Sequence, residues 1–282
     1  MELRRPAQTR ALTGGSRALE RCALAALAIA AFAQAPGELA VDTKLDIVVA
    51  PVRFVTRAAQ LWDRFGGLGQ IPNQTAGYLW PMGAFFSLGD VSPVPMWLVQ
   101  RAWLALVLCA AALGVIRLAA ALGLGGRAVV VAGVAYALSA NVGGLAGAYS
   151  GTVLPTAVAP WALLPFVRLT HTLSRTDTDG SSSDGERRWR GPRTAAARGA
   201  VALACAGGIN ATATLAAAVL PAAWIVTQLH GRARRVTALW WVTITTGATA
   251  WWWGPLLLQG KFGVAFDRYT EGAAVTTATS SV

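Results

Sequence analysis

Long apolar runs separated by short arginine-rich segments constrain this chain more than any other feature. The runs are about 17 to 25 residues long, the length with which an α-helix crosses the hydrocarbon core of a bilayer. Backbone N–H and C=O groups find no water there, so such segments satisfy their hydrogen bonds internally as helices. Hydrophobic residues make up 55% of the chain and charged residues only 13%. The sequence therefore predicts an all-α, polytopic transmembrane helical bundle.

The positive charge of the chain follows the ends of these runs. The chain carries 24 Lys and Arg against 13 Asp and Glu, a formal net charge of +11. A balance of this kind would indicate nucleic acid if the arginines formed one patch or stripe. Because they flank apolar runs instead, the positive-inside rule and anionic lipid headgroups account for them. We therefore expect the lipid bilayer, and no nucleic acid, as a partner.

The pattern predicts about seven spans. The first occupies residues 19–35 and follows a basic N-terminus, residues 1–18, that we place in the cytoplasm. The others lie within residues 96–258, where basic cytoplasmic loops interrupt the apolar sequence at 170–194 and 230–235. Their predicted bounds are 96–121, 129–145, 153–169, two short spans within 195–229 that turn at 207–210, and 236–258. This threading puts every short basic loop on one side of the membrane.

The first span has a second interpretation. Ala31, Phe32 and Ala33 resemble the small-residue cleavage site of a secretory signal peptide. The apolar run is slightly long for a signal peptide, so an uncleaved membrane anchor is the favoured interpretation. Both interpretations place the chain from Pro36 onward on the outer, periplasmic side.

Residues 36–95 are too rich in acids, bases, Gly and Pro to cross a bilayer, and they are predicted to form a long periplasmic loop. Apolar residues recur at helical spacing within 45–61, which predicts an amphipathic helix lying along the membrane surface. These residues are Leu45, Val48, Val49, Val52, Val55 and Ala59. Residues 259–282 are predicted to begin a second major periplasmic loop.

Carboxylates at the start of the first loop are the main candidates for chemistry. Asp42 and Asp46 are four residues apart, a spacing that would put both on one face of a helix. A carboxylate there could accept a proton from a sugar hydroxyl while Lys44, Arg53 or Arg101 met a lipid-linked phosphate. The alternative is that the aspartates are solvated interfacial charges and that Arg101 snorkels. The spacing does not decide between the two.

The rest of the sequence offers little catalytic material. The spans carry almost no charge at the midplane, which argues against a proton-coupled transporter. His171 and His230 lie far apart, and Cys22, Cys109 and Cys205 have no paired spacing, so neither a metal site nor a disulfide is indicated. No cofactor follows from the sequence, and a divalent cation stays open.

The outer loop resembles the start of the actinobacterial arabinofuranosyltransferase D family of GT-C glycosyltransferases. The similarity extends from the first span to the end of the chain. It is carried by residues 41–46 (VDTKLD), 61–63 (LWD), 69–74, 78–83 (YLWPMG) and 99–101 (VQR), and by the tail from 269 to 279.

The resemblance implies a polytopic enzyme that transfers arabinofuranose from decaprenylphosphoryl arabinose to arabinan of the cell envelope, in an α-1,3 linkage and with inversion. The product would be arabinogalactan or lipoarabinomannan. An acid in the first outer loop of GT-C enzymes acts as general base, and the matching position here is Asp42, with Asp46 second. The candidates for donor phosphate binding are the cations Lys44, Arg53 and Arg101, by charge and geometry alone. The candidates for substrate binding are Tyr78, Trp80 and Glu271.

Members of this family are several times longer, which predicts that the chain is the N-terminal portion of a larger enzyme. The family also implies an acyl carrier protein docked on the cytoplasmic face, where inner arginines would suit an acidic partner. Two rival functions stay open. A lipid or solute transporter would need polar residues and repeated halves in the bundle, and a non-catalytic scaffold would tolerate replacement of both aspartates.

Overall fold

Helices account for every regular element in the part of the chain that the structure describes. The computed structural model describes residues 14–40, 44–64, 69, 71, 75–178 and 185–263. The predicted all-α class is therefore confirmed. The helices are α1 (Gly14–Phe32), α2 (Asp46–Val49), α3 (Pro51–Ala58), α4 (Ala84–Asp90), α5 (Met96–Ala121), α6 (Ala128–Ala137), α7 (Ser150–Thr178), α8 (Gly185–Ala204), α9 (Ala211–Gln228) and α10 (Gly231–Phe262), with a 3-10 helix at Thr75–Tyr78 and a π-helical turn at Leu79–Gly83.

Among the described residues, three helices are long and apolar enough to cross a membrane. They are α5, α7 as far as Ser174, and α9, while α6 is apolar but shorter. The chain is thus a membrane protein by the length and composition of its helices. The threading through about seven spans, and its orientation, remain predictions.

Helix α5 lies at the centre of the first half of the bundle. It packs against α1, α6 and α7, while α7 also packs against α8 and α9, and α8 against α10. Small residues permit these close approaches. A Cβ atom added at Gly114 would overlap the Trp161 ring, and one at Gly133 would overlap the Ile116 side chain. The packing therefore depends on these two glycines.

Helix α7 stays helical through three internal prolines, one of which frees a carbonyl that a neighbouring helix satisfies. Pro160 has no N–H to donate to the carbonyl of Thr156, four residues earlier. The hydroxyl of Tyr136 on α6 donates to that carbonyl over 2.8 Å. A hydroxyl from another helix thus replaces a backbone donor, as membrane helices with prolines require.

We expect Tyr136→Phe to lower the free energy of unfolding by about 1–2 kcal/mol, since the Thr156 carbonyl would lose its donor in an apolar setting. Thermal unfolding in detergent measures the effect. Tyr149→Phe is the matched control because Tyr149 is 52% exposed. Equal melting temperatures for the two variants would contradict this role of Tyr136.

Helix α6 ends earlier than the predicted span at 129–145. Its 10 residues reach about 15 Å, half of a bilayer core of about 30 Å. Beyond Ala137 the chain runs in turns, in which the Ser139 carbonyl accepts N–H bonds from Val142, Gly143 and Gly144. Glycines and polar residues favour turns over helix, which explains the early end.

The polar segments predicted as loops are largely helical. Helix α7 continues to Thr178 and α8 begins at Gly185, so both ends of segment 170–194 are helical. Likewise α10 begins at Gly231, which places the arginines of 232–235 in its first turns. Arg, Ala and Thr are all compatible with helix outside the apolar region, so helices extend past the lengths that a bilayer requires.

Short helices α2, α3 and α4 form a layer against one end of the bundle. The predicted amphipathic helix over 45–61 is in fact two helices, because Ala50 is non-helical (φ −143°, ψ 67°) ahead of Pro51. The break changes which residues are buried. Leu45, Val49 and Val52 are exposed on these helices, as residues that contact a membrane surface would be, and that contact stays a prediction. The buried residues of this layer are Ile47, Val48, Phe54, Ala58, Tyr78, Met82 and Phe86.

A close backbone contact joins this layer to the turn between α8 and α9. The N–H of Gly208 donates to the carbonyl of Gly77 over 3.1 Å, and a Cβ at Gly77 would overlap the Gly208 backbone. The Trp252 ring of α10 covers the other side of Gly208. The turn lies where Gly207, Gly208 and Asn210 indicate one, and the Asn210 side chain caps α9 by accepting the Ala213 N–H.

Candidate active site

Arg101 in the second turn of α5 is buried and holds the segment that follows α1. Its side chain is only 2% exposed. Nε donates to the carbonyl of Gln34 over 3.0 Å, and Nη2 donates to the carbonyls of Glu38 over 3.1 Å and Ala35 over 3.4 Å. Charged donors to several carbonyls at once satisfy the otherwise costly burial of a guanidinium.

Gln100, the residue before Arg101, holds the end of the same segment, at Ala40. Its Nε2 donates to the Ala40 carbonyl over 2.8 Å, and its Oε1 accepts the Ala40 N–H over 2.8 Å. Oε1 also accepts from Nη1 of Arg101 at 3.4 Å. We call these two side chains the Gln100–Arg101 clamp. The clamp fixes residues 34–40, the chain that leads directly into the acidic segment 41–46.

Helix α1 is also tied to α5 further from the clamp. Arg117 Nη2 contacts Glu20 Oε1 at 2.7 Å, and the Glu20 side chain is 10% exposed. Midway along, the Cys109 thiol donates to the Leu24 carbonyl. Because α1 is held at several levels of α5, the position of its end, where the clamp acts, is set by the bundle.

Asp46 forms an ion pair with Arg57 across the break between α2 and α3. Its Oδ2 lies 3.3 Å from Arg57 Nη2, and the side chains are 71% and 35% exposed, respectively. An exposed pair of this kind adds little to stability, about 0–1 kcal/mol. Arg57 Nε is buried with no hydrogen-bond partner among the described residues. The pair therefore orients the Asp46 carboxylate more than it stabilises the fold.

Lys44 and Arg53 provide two further cations beside this pair. Lys44 is half-buried just before α2, whereas Arg53 is exposed on α3. Neither has an acidic partner within the described part of the chain. Free cations near an interface are suited to a phosphate group.

The other predicted site residues fall into separate settings. Tyr78 is 3% exposed and packs edge-on against Phe54, with ring centroids 5.7 Å apart, so it serves the core. Trp80, two residues further along the chain, is 48% exposed. Asp42 and Glu271 lie outside the described residues. The described residues thus place Lys44, Asp46 and Arg53 in or next to helices α2 and α3, and Arg101 in the clamp.

A small pocket adjoins this layer where α3 ends. Its volume is about 90 Å³, room for about three waters, and its lining includes Gln60, Trp252 and Gln259. The indole N–H of Trp252 is buried without a partner among the described residues. The pattern of the sequence does not indicate this packing role of Trp252.

Gln100 and Arg57 are two polar residues of the site that the sequence did not single out. Only Gln100 is indicated by its position in the sequence. Gln100 stands beside Arg101 near the start of a largely apolar helix, and two adjacent polar residues one turn inside a span indicate a buried hydrogen-bonding task. Nothing in the sequence indicates a role for Arg57, because its pairing with Asp46 depends on the break in the helix at Ala50. Among the described residues, no three His, Cys, Asp or Glu side chains come together as metal ligands.

Comparison with known proteins identifies one family. Residues 26–282 match the family described as alpha-(1->3)-arabinofuranosyltransferase, N-terminal GT-C domain. The chain is 38% identical to the alpha-(1->3)-arabinofuranosyltransferase of Mycolicibacterium smegmatis over 257 residues, covering 90% of this chain and 17% of the relative. It is 38% identical to that of Mycobacterium tuberculosis over 252 residues, covering 89% of this chain and 17% of the relative.

A solved structure agrees with these relatives. The cryo-EM structure of arabinofuranosyltransferase AftD from mycobacteria is similar with a TM-score of 0.75 and 38% identity, covering 89% of this chain and 18% of that protein. The chain therefore spans about a sixth of the length of the proteins it matches.

Proposed function

The chain belongs to the alpha-(1->3)-arabinofuranosyltransferase GT-C family, and from this premise we propose that it forms the N-terminal catalytic part of an enzyme that transfers arabinofuranose from decaprenylphosphoryl arabinose to arabinan. The observation that carries the proposal is the support around the acidic segment 41–46. The Gln100–Arg101 clamp holds the chain as far as Ala40, and the buried residues Ile47 and Val48 anchor it beyond Asp46. Catalytic groups need such anchoring to keep their geometry.

In the proposed reaction, Asp42 is the general base, with Asp46 the second candidate. The carboxylate takes the proton of an acceptor hydroxyl as that oxygen bonds to the anomeric carbon of the arabinofuranose. The bond between this carbon and the phosphate oxygen breaks with its electron pair, and decaprenyl phosphate leaves. Direct displacement inverts the anomeric carbon and forms the α-1,3 linkage.

The departing phosphate needs cations to receive its developing charge. Lys44 and Arg53 are the candidates that the geometry favours, because both flank Asp46 and neither has an acidic partner among the described residues. Arg101 is already bonded to backbone carbonyls, so we assign it a positioning role in place of the phosphate contact that its charge suggests.

Trp80 is the preferred substrate-binding residue. Its half-exposed ring offers an apolar face on which a sugar can pack. Tyr78, two residues earlier, is buried against Phe54 and belongs to the core. Two further parts of the proposal rest on the family alone. They are a contribution of Glu271 to substrate binding and docking of an acyl carrier protein on the cytoplasmic arginines.

Transfer of labelled sugar tests this function. The full-length protein in nanodiscs would receive decaprenylphosphoryl [14C]arabinose and a linear arabinan oligosaccharide, and linkage analysis would locate the new bond. We expect labelled acceptor with a 3-linked arabinose. Movement of intact labelled lipid with no covalent product would instead support a transporter, and neither transfer nor movement would support a scaffold.

A further inference from the structure

A groove of about 890 Å³ lies between α7 and α8, away from the candidate active site. One wall is a stripe of α7 at helical spacing, and the facing wall is a stripe of α8. Arginines line one part of the groove and apolar side chains the rest. The lining of the groove includes Val158, Trp161 and Arg168 on α7, and Arg190, Arg198 and Val201 on α8.

The arginines give the groove a positive charge. Among the described residues, no acidic side chain lines it. Arg168 and Arg198 are exposed, and neither pairs with a carboxylate in the described part of the chain. A nearby arginine, Arg193, is engaged elsewhere, over the Trp240 ring at 5.4 Å. Arginine side chains beside an apolar stripe of a membrane protein suit an anionic group at the same depth.

The apolar part of the groove has the depth of one leaflet. Ten residues of α7 separate Arg168 from Val158, a distance of about 15 Å along the helix. Half of a bilayer core of about 30 Å is the same length. Val201 on the opposite wall is 64% exposed, so the groove offers unpartnered apolar surface beside its charges.

We propose that this groove binds an anionic diacyl phospholipid, with Arg168 and Arg198 on its phosphate and an acyl chain along Val158, Trp161 and Val201. Basic pockets between membrane helices on the cytoplasmic side bind anionic headgroups in this way. The predicted threading places the arginines toward the cytoplasm, so the lipid belongs to the inner leaflet. This site is separate from the proposed transfer reaction, and its failure would leave that reaction standing.

Native mass spectrometry of the full-length protein, titrated with phosphatidylglycerol or phosphatidylcholine of the same acyl chains, tests the site. We expect phosphatidylglycerol to bind about ten-fold more tightly, and Arg168→Gln with Arg198→Gln to abolish the difference. The matched control is Arg17→Gln with Arg21→Gln. It removes the same charge from exposed positions of α1 and should keep the preference.

A second variant tests the groove with its arginines intact. Val201→Trp should fill the apolar part and weaken phosphatidylglycerol binding, and its exposed position makes misfolding no obstacle. Equal loss of preference in both double variants would overturn the proposal, as would unchanged binding to Val201→Trp. Displacement of the lipid by inorganic phosphate alone would show that the arginines hold a free anion, which also contradicts a lipid site.

Discussion

Replacement of Asp42 by Asn is expected to lower arabinose transfer about 10²- to 10⁴-fold, because an amide cannot accept the proton of the acceptor hydroxyl. The substitution keeps the size of the side chain, so membrane insertion and the amount of folded protein should not change. Transfer from decaprenylphosphoryl arabinose by the full-length variant, normalised to folded protein, measures the effect.

Two further substitutions separate the base from its neighbours. Asp90→Asn makes the same chemical change at an exposed position of the same predicted loop and should leave transfer within about two-fold. Asp46→Asn removes the partner of Arg57 and should have an intermediate effect. Wild-type transfer by Asp42→Asn, or a larger loss with Asp46→Asn, would reject Asp42 as the base.

The second large effect is expected from the clamp. Arg101→Lys should lower kcat more than ten-fold, because a single ammonium cannot reach the carbonyls that the guanidinium fork holds, while the KM for the lipid donor stays within about two-fold. Loss of these part-buried hydrogen bonds also lowers stability, by about 0.5–1.5 kcal/mol each. Steady-state kinetics and thermal unfolding on the same preparation measure both effects.

Substitution of Gln100 separates a positioning role of the clamp from phosphate binding by Arg101. Its side chain is neutral and bonds only Ala40 and Arg101 among the described contacts, so Gln100→Ala should reproduce the fall in kcat if the clamp positions segment 41–46. Arg53→Gln is the contrasting variant, and there the donor KM should rise. A raised donor KM in Arg101→Lys, with normal kinetics in Gln100→Ala, would return Arg101 to the donor phosphate.

The sequence predicts most of the architecture because a bilayer imposes length and polarity on each span. It predicts helix lengths less well. The pattern of apolar residues does not show that the segment after Ala137 folds into turns around the Ser139 carbonyl, nor that polar residues up to Thr178 extend a helix. Both outcomes depend on local hydrogen bonding, to which hydropathy is insensitive.

The residues of the candidate site are likewise easier to predict from the sequence than the contacts between them. Segment 41–46 is recognisable from its residues, but the roles around it depend on contacts between distant parts of the chain. Arg101 as a lone cation inside a span suggests an anion, whereas its partners are carbonyls more than 60 residues earlier. The helix predicted over 45–61 is two helices, because Ala50 ahead of Pro51 is non-helical.

The central claim is that the acidic segment faces the outer side of the membrane, at the level of the donor headgroup. A cysteine introduced at position 42, in a background where Cys22, Cys109 and Cys205 are alanine, would be exposed to a membrane-impermeant maleimide in intact cells. Arg234→Cys, at an exposed position in the predicted cytoplasmic segment, is the control that should react only after permeabilisation. We expect position 42 to be labelled from outside the cell. Labelling there only after the membrane is opened would contradict both the threading and the proposed enzyme.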